Sequence, residues 1–235
     1  MNSNNKNLGI IYGLVFLLVC ALTTCQSSNG QQGALIYQDD FDNSLDNWVI
    51  EGPSSPNASI EIIDGKLIID VDAGATIWLN KKLSGSYLIE YKRMVVLAGG
   101  RNDRLSDLNQ FWMATDPRNE NLFTRSGVFE QYDSLSLYYV GVGGNTNTTT
   151  RFRKYTGDGN RVLLEDLANK ENLLEPNKEY TIKILVEKGT SKFYMNERLI
   201  FSYEDPQPLS VGYFGFRTTQ SRQIIDDLRI YKWEQ

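Results

Sequence analysis

No histidine occurs among the 235 residues, and that absence removes more chemistry than any motif adds. Without it there is no Ser-His-Asp or Cys-His triad, no histidine general base and no histidine-ligated zinc. Catalysis, where present, falls to carboxylate, tyrosine, lysine or arginine, and a bound metal to a hard, oxygen-liganded ion such as calcium. Cysteine is almost as scarce: the sequence holds 2, Cys20 and Cys25, both near its start. Basic residues are outnumbered, 24 against 29 acidic, and the net charge of -5 argues against non-specific nucleic-acid binding. What is abundant is apolar: 41% of residues are hydrophobic and 11% aromatic, which excludes disordered and collagenous chains. The length suits one large all-β domain or two small ones.

The first residues read as an address. A polar stretch carrying Lys6 precedes an apolar run over residues 8–20. That run has the length of a signal-peptide core and falls short of the roughly 20 residues needed to span a bilayer. It ends at Leu22-Thr23-Thr24-Cys25, which resembles a bacterial lipobox, although that pattern prefers Gly, Ala or Ser where Thr24 stands. The resemblance implies cleavage before Cys25 and its lipidation, so residues 1–25 are assigned to a lipoprotein signal peptide. Residues 26–33 (QSSNGQQG) read as a flexible tether. Both cysteines then belong to the leader, and the remainder carries 23 basic and 29 acidic residues. The expected location is the cell envelope, lipid-anchored, facing the periplasm or the outer surface; the lack of acids just after Cys25 favours the periplasm.

Residues 34–235 read as one domain of strands. Short alternating or apolar runs are separated by turn residues every eight to twelve positions or so, the pattern of a sandwich or barrel. Asp64-Gly65 and Asn196-Glu197 each sit between two such runs as hairpin turns. Tyr180, Ile182, Ile184 and Val186 alternate onto one face of a strand. Helical or irregular structure is expected only over residues 161–174 and in the long loop after Gly99.

Three segments resemble the concanavalin A-like jelly-roll superfamily: the opening Phe41-Asp42-Asn43-Ser44-Leu45-Asp46-Asn47-Trp48, the hairpin at Asn196, and the closing Gly212-Tyr213-Phe214-Gly215-Phe216-Arg217 followed by Ile225-Asp226-Asp227-Leu228-Arg229-Ile230. The resemblance implies two curved antiparallel sheets with a concave, sugar-binding face; another jelly roll or a galactose-binding-type sandwich is the alternative. The segments around Gln110-Phe111-Trp112 and Leu137-Tyr138-Tyr139, through Arg151-Phe152-Arg153, look like an uncharacterised Bacteroides-type secreted family associated with polysaccharide utilisation. That likeness implies a glycan role and carries no catalytic residues.

Chemistry is sought where arginine concentrates. Residues 99–161 hold seven arginines (101, 104, 118, 125, 151, 153, 161), one lysine and seven acids. Arginine's planar fork grips carboxylates bidentately, so the segment is read either as a self-bridged loop or as a cleft for an acidic sugar. Self-bridging fits Arg101, Asp103, Arg104 and Asp107 best. Arg151 and Arg153 sit two apart on an expected strand and share a face, with Arg217 and Arg222 as further candidates. Asn109, Gln110, Gln131 and Asn145 suit sugar hydroxyls, and Trp112 and Tyr139 suit apolar sugar faces. Of Tyr138 and Tyr139, one must face inward.

Residues 127–133 read as a strand that sets Glu130 beside Tyr132, the candidate acid and base, with Asp116 or Asp107 as a second carboxyl. The laminarinase-type hydrolases of this fold carry Glu-x-Asp-x-x-Glu, which is absent here, and a retaining mechanism needs two carboxyls about 5 Å apart. The jelly-roll alginate lyases use Gln-x-His, also absent. A lyase would have to use Tyr132 or Tyr139 as base, with Arg151 and Arg153 neutralising the uronate. A hydrolase, a lyase and a non-catalytic binder using the same cleft all remain open, with the enzyme favoured because the long loop invests so many ionisable groups. No cofactor is expected beyond a structural calcium, for which Asp40 and Asp227, on the first and last strands, are the candidates. Gly141 to Gly144 lacks the spacing of a nucleotide loop, and Thr156-Gly157-Asp158-Gly159-Asn160 lacks the later glutamate of a calcium loop.

Overall fold

The computed structural model describes Met1 and residues 30–234; the leader and Cys25 lie outside the described residues. Sixteen strands follow in chain order: β1 (Gln31–Asp39), β2 (Trp48–Glu51), β3 (Ser59–Ile63), β4 (Lys66–Val71), β5 (Ala75–Leu79), β6 (Leu83–Ser84), β7 (Tyr87–Val95), β8 (Leu108–Thr115), β9 (Ser136–Gly143), β10 (Thr149–Thr156), β11 (Arg161–Leu167), β12 (Glu179–Glu187), β13 (Thr190–Met195), β14 (Arg198–Glu204), β15 (Val211–Thr218) and β16 (Ser221–Glu234). They form two antiparallel sheets. One runs β14-β13-β12-β7-β16-β4-β3, with β1 added on β16; the other runs β11-β10-β9-β8-β15-β5-β2, with β6 added on β15.

The hairpins form where turn chemistry permits. Asp64 and Gly65 both take positive φ (50° and 69°), as do Asn196 and Glu197 (50° and 63°), the backbone of the two-residue turn whose twist matches its flanking strands. Alternation then sends Tyr180, Ile182, Ile184 and Val186 of β12 into the space between the sheets. They meet Trp112, Tyr138, Phe152, Phe214 and Phe216 of the second sheet in a single apolar core.

One buried charge crosses this core. Arg93 of β7, fully buried, donates from Nε to Gln223 Oε1 (2.7 Å), from Nη1 to the Asn109 carbonyl (2.6 Å) and from Nη2 to the Arg217 carbonyl (2.9 Å). Burial without a carboxylate partner pulls its pKa down to about 10.

Three expectations are corrected. Residues 161–167 are a strand, paired to β10 from Tyr155↔Arg161 to Thr150↔Leu167, and only Lys170–Asn172 make a short 3-10 turn. Residues 127–133 are not a strand: Phe129–Tyr132 form a 3-10 turn. The strand β1 starts at Gln31, inside the stretch read as tether, and pairs Gln31 and Gln32 with Glu234 and Trp233.

Candidate functional site

The outer face of the second sheet is built in rows fixed by strand register. One row runs Glu51, Thr76, Arg217, Asn109, Gly141, Arg151, Asp166 across β2, β5, β15, β8, β9, β10 and β11. The next runs Val49, Trp78, Gly215, Phe111, Tyr139, Arg153, Leu163. The face is thus polar along one row and aromatic along the next, and its two ends have opposite fates.

The β2-β5-β15 end is roofed by residues 116–135, the connection between β8 and β9. Beneath them Trp78, Phe111, Leu122, Tyr132, Leu135, Leu137, Tyr139 and Tyr155 form a second apolar cluster. Glu51, 4% exposed, anchors the roof: its Oε2 accepts from Trp78 Nε1 and Tyr132 OH (2.8 Å each), and its Oε1 from the Arg125 backbone N–H (2.6 Å). Gly127 docks so closely that a Cβ there would lie 2.1 Å from the Gly74 carbonyl oxygen, at a φ of 90° that glycine alone tolerates readily. In a 3-10 turn, side chains three apart stack one above the other, so Phe129 and Tyr132 fall together. Both lie over the buried Arg217 guanidinium, each ring centroid 4.8 Å away. Arg217 Nη1 donates to Thr76 Oγ1 and to the Gly127 carbonyl (3.0 Å each), and burial lowers its pKa. At the far end of the roof, Asp116 binds Arg125 Nη2 at 2.5 Å, both side chains 5% exposed or less. Burial works to raise the Asp116 pKa, but the hydrogen bonds from Arg125 and Arg118 outweigh it and hold the carboxyl below its ordinary value.

The β8-to-β11 end is open and forms a pocket of about 360 Å³. Its floor runs over Gly141, whose missing Cβ makes room for the Tyr139 hydroxyl and Asn109 Oδ1, which lie 2.0 and 2.6 Å from where a Cβ would sit. Tyr139 OH donates to Asn109 Oδ1 over that glycine (3.1 Å). Around it stand Arg104, Arg151, Arg153 and Arg161 against a single acid, Asp107, with Asn145 on the rim. Three of the four guanidiniums have carboxylate partners: Arg104 binds Asp107, Arg151 Nε binds Asp166 (2.9 Å), and Arg161 grips Asp133 through two nitrogens. Arg153 only lies over the Tyr139 ring, 5.7 Å from its centroid, with no carboxylate partner among the described residues. Burial raises the Asp107 pKa despite Arg104. Burial, then Tyr155 and Asp107, raise that of Tyr139.

The sequence-derived candidates therefore divide. Arg151, Arg153, Asn109, Tyr139 and Asn145 come together in this pocket. The proposed catalytic group does not assemble. Tyr132 is buried under the roof, its hydroxyl bound to Glu51 and its pKa driven well above the ordinary tyrosine value by burial and that carboxylate. Asp116 is consumed by its arginines, and Glu130, exposed, points away from Tyr132 because consecutive turns of a 3-10 helix cannot align residues two apart. Glu130, Gln131 and Asp116 line a separate, shallow groove of about 890 Å³ on the outer side of the roof. Arg217 is sealed beneath the roof and binds no ligand there. Trp112 is buried between the sheets, its Nε1 donating to Ser191 Oγ (3.2 Å), and offers no sugar platform. Gln110 is buried against Tyr91 and Val140, and Arg222 pairs with Asp103 on the other sheet. Tyr138 faces the core and Tyr139 the outer face, as alternation requires. For calcium, β1 and β16 do pair (Asp39↔Leu228), but Asp40 binds Arg229 (2.5 Å) and Asp227 binds Lys92 (2.7 Å), so cations of the chain already neutralise both acids. Among the described residues no group of three metal-ligating side chains occurs. Sequence reasoning missed Glu51 and Gly141; only the register reveals that one anchors the roof and the other makes room for the Tyr139–Asn109 pair.

Solved structures share this architecture at low identity. A Bacillus subtilis protein of unknown function with a galectin-like fold superposes with a TM-score of 0.73 at 18% identity, over 88% of this chain and 100% of that one. An endo-beta-1,3-glucanase from Pyrococcus furiosus gives 0.60 at 9% identity, over 87% and 98%. The carbohydrate binding module CBM66 from Bacillus subtilis gives 0.55 at 14%, over 79% and 96%. The fold is the concanavalin A-like jelly roll. No curated protein matches the chain. The profile of a domain of unknown function, DUF6250, matches residues 69–228, well over half the sequence, and the chain belongs to that family.

Proposed function

We propose that this chain is a carbohydrate-active jelly-roll protein that binds an acidic sugar, of the uronic-acid class, in the arginine pocket of its second sheet, and that it does so without turnover. The observation that carries this reading is Arg153: a half-buried guanidinium with no carboxylate partner among the described residues, on the same face as Arg151, in a pocket floored by Asn109, Tyr139 and Gly141. A carboxylate seated between Arg153 and Arg151, above the Tyr139–Asn109 pair, satisfies Arg153 bidentately and exchanges for Asp166 on the half-exposed Arg151, a bond worth little in water. Asn109 and Asn145 are at hand for hydroxyls. The likeness to a carbohydrate binding module and a glucanase supports a glycan ligand.

A lyase is the second reading, favoured by the Tyr139 hydroxyl standing in the same pocket as the arginines. Burial opposes it: the base that takes the C5 proton must be the tyrosinate, and burial raises the Tyr139 pKa and keeps the phenol protonated. Binding of the domain to polygalacturonate, alginate, glucuronan and a neutral β-glucan, with unsaturated product and reducing ends followed together, tests both. Uronate binding with neither signal is expected. Preference for the neutral glucan would sink the acidic-ligand reading, and product absorbance would sink the non-catalytic one. We also propose anchoring in the cell envelope through lipidated Cys25; incorporation of labelled palmitate should vanish in Cys25→Ala.

A further inference from the structure

The geometry points to a ligand end: we infer that the pocket accepts the terminus of an acidic glycan chain and excludes its interior. The inference rests on the acidic-sugar reading and deepens it. A chain lying across all seven paired strands of the second sheet would need an unobstructed path of about 29 Å at the usual strand spacing, whereas the pocket, lined from β8 to β11, spans only about 14 Å. The rest is closed by the roof. On the β15 side the path stops at residues 127–129, where the Gly127 carbonyl accepts from Arg217 and the Phe129 ring covers that guanidinium. Along the strands it stops in one direction at Arg161, held by Asp133 and packed on Phe129 with its guanidinium 4.4 Å from the ring centroid. In the other direction it stops at Arg104, which binds Asp107 and the carbonyls of Thr219 (2.6 Å) and Gln220 (2.9 Å). Only the β10-β11 side is free of such a wall, so a chain enters there and has no exit.

The roof is tied down on the β2-β5-β15 end: Glu51 accepts from Tyr132 and the Arg125 N–H, Gly127 closes on Gly74 and accepts from Arg217, and the Asp116–Arg125 pair braces it internally. The volume of about 360 Å³ lies at the low end for small-molecule sites and suits a terminal sugar with its nearest neighbour.

The test uses the uronate polymer that binds best in the panel above, intact and after partial hydrolysis that raises the number of chain ends about tenfold at constant mass. If ends are the ligand, the half-saturating mass concentration falls about tenfold, because the molar concentration of sites on the ligand rises by that factor. An unchanged or increased half-saturating mass overturns the chain-end inference while leaving the acidic-sugar reading intact. Arg153→Ala, run alongside, is expected to lose binding to both preparations; retention shows that the ligand is held elsewhere and overturns the inference as well. Absence of binding to any uronate polymer or fragment overturns the acidic-sugar reading and this inference with it.

Discussion

Arg217 and Arg151 occupy one row of one sheet face, with only Asn109 and Gly141 between them, yet they serve opposite purposes. Arg217 is sealed between Phe129 and Tyr132 and holds the roof by its Gly127 carbonyl; Arg151 stands half-exposed in an open pocket. Abundance of arginine therefore does not mark a binding site. What separates the two ends of the face is access. At the roofed end Arg125 finds carbonyls and a buried carboxylate, and Arg217, its Nε and Nη2 unpaired, is sealed under two rings, whereas at the open end Arg153 is half-exposed with only a tyrosine ring beneath it.

The contrast breaks most readily at Glu51. Replacing it with alanine leaves the Trp78 N–H, the Tyr132 hydroxyl and the Arg125 N–H without an acceptor, and should cost about 3 kcal/mol or more of unfolding free energy in a denaturant titration, with Glu51→Gln costing less. A loss within about 0.5 kcal/mol, the range of an ordinary surface change, would mean that the roof is held elsewhere. Gly127→Ala should cost about 2 kcal/mol through positive φ and the clash with Gly74, and serves as the backbone counterpart. Arg153→Ala reverses the pattern. Stability should stay within about 0.5 kcal/mol in the same titration, while calorimetric affinity for an acidic oligosaccharide drops by about 1.5–3 kcal/mol, the worth of hydrogen bonds to a charged group.

The smallest effect is the most discriminating, because the two ends titrate in opposite senses. The raised pKa of Asp107 means that the folded chain holds this proton more tightly than the unfolded one, so its contribution to stability is greatest at low pH and is lost as pH rises through the folded pKa. The depressed pKa of Asp116 does the reverse: its contribution is present above the unfolded value of about 3.9 and is lost as pH falls through the lower folded value. Protonation of Asp107 also removes the one acid lining the pocket and leaves Arg104 bound only to carbonyls. Affinity for an acidic glycan should therefore rise as pH falls through the raised pKa of Asp107, as long as the ligand's carboxylate stays ionised, and Asp107→Asn should flatten that rise. An affinity independent of pH in the native protein would remove Asp107 from the pocket's electrostatics.

How much of this was legible in the sequence depended on how many faces of a strand are covered. In β10, Arg151 and Arg153 alternate with the core-facing Thr150 and Phe152, and their shared face could be read directly. Along β8, residues 108–114 are all buried: on the side away from the core the roof covers Phe111, and Asn109 lies under Tyr139 on the pocket floor. Alternation then vanishes, and nothing in Phe111-Trp112 tells which ring faces the core. The segment Arg161-Val162-Leu163-Leu164-Glu165-Asp166-Leu167 carries helix-like apolar spacing and becomes a strand only because β10 offers an unpaired edge. The 127–133 segment alternates like a strand but pairs with none, and folds back as a turn on Arg217.

Arg93 carries a consequence for inheritance. It reaches from the opposite sheet, through the core, to the carbonyls of Asn109 and Arg217, the two residues whose side chains mark the boundary between the roofed and open ends. A buried cation held only by neutral acceptors tolerates few replacements, and replacing it frees both strands at that boundary. Among homologous chains, position 93 should therefore vary in step with position 223, whose side chain accepts from it, and not with 109 or 217, whose carbonyls any residue supplies.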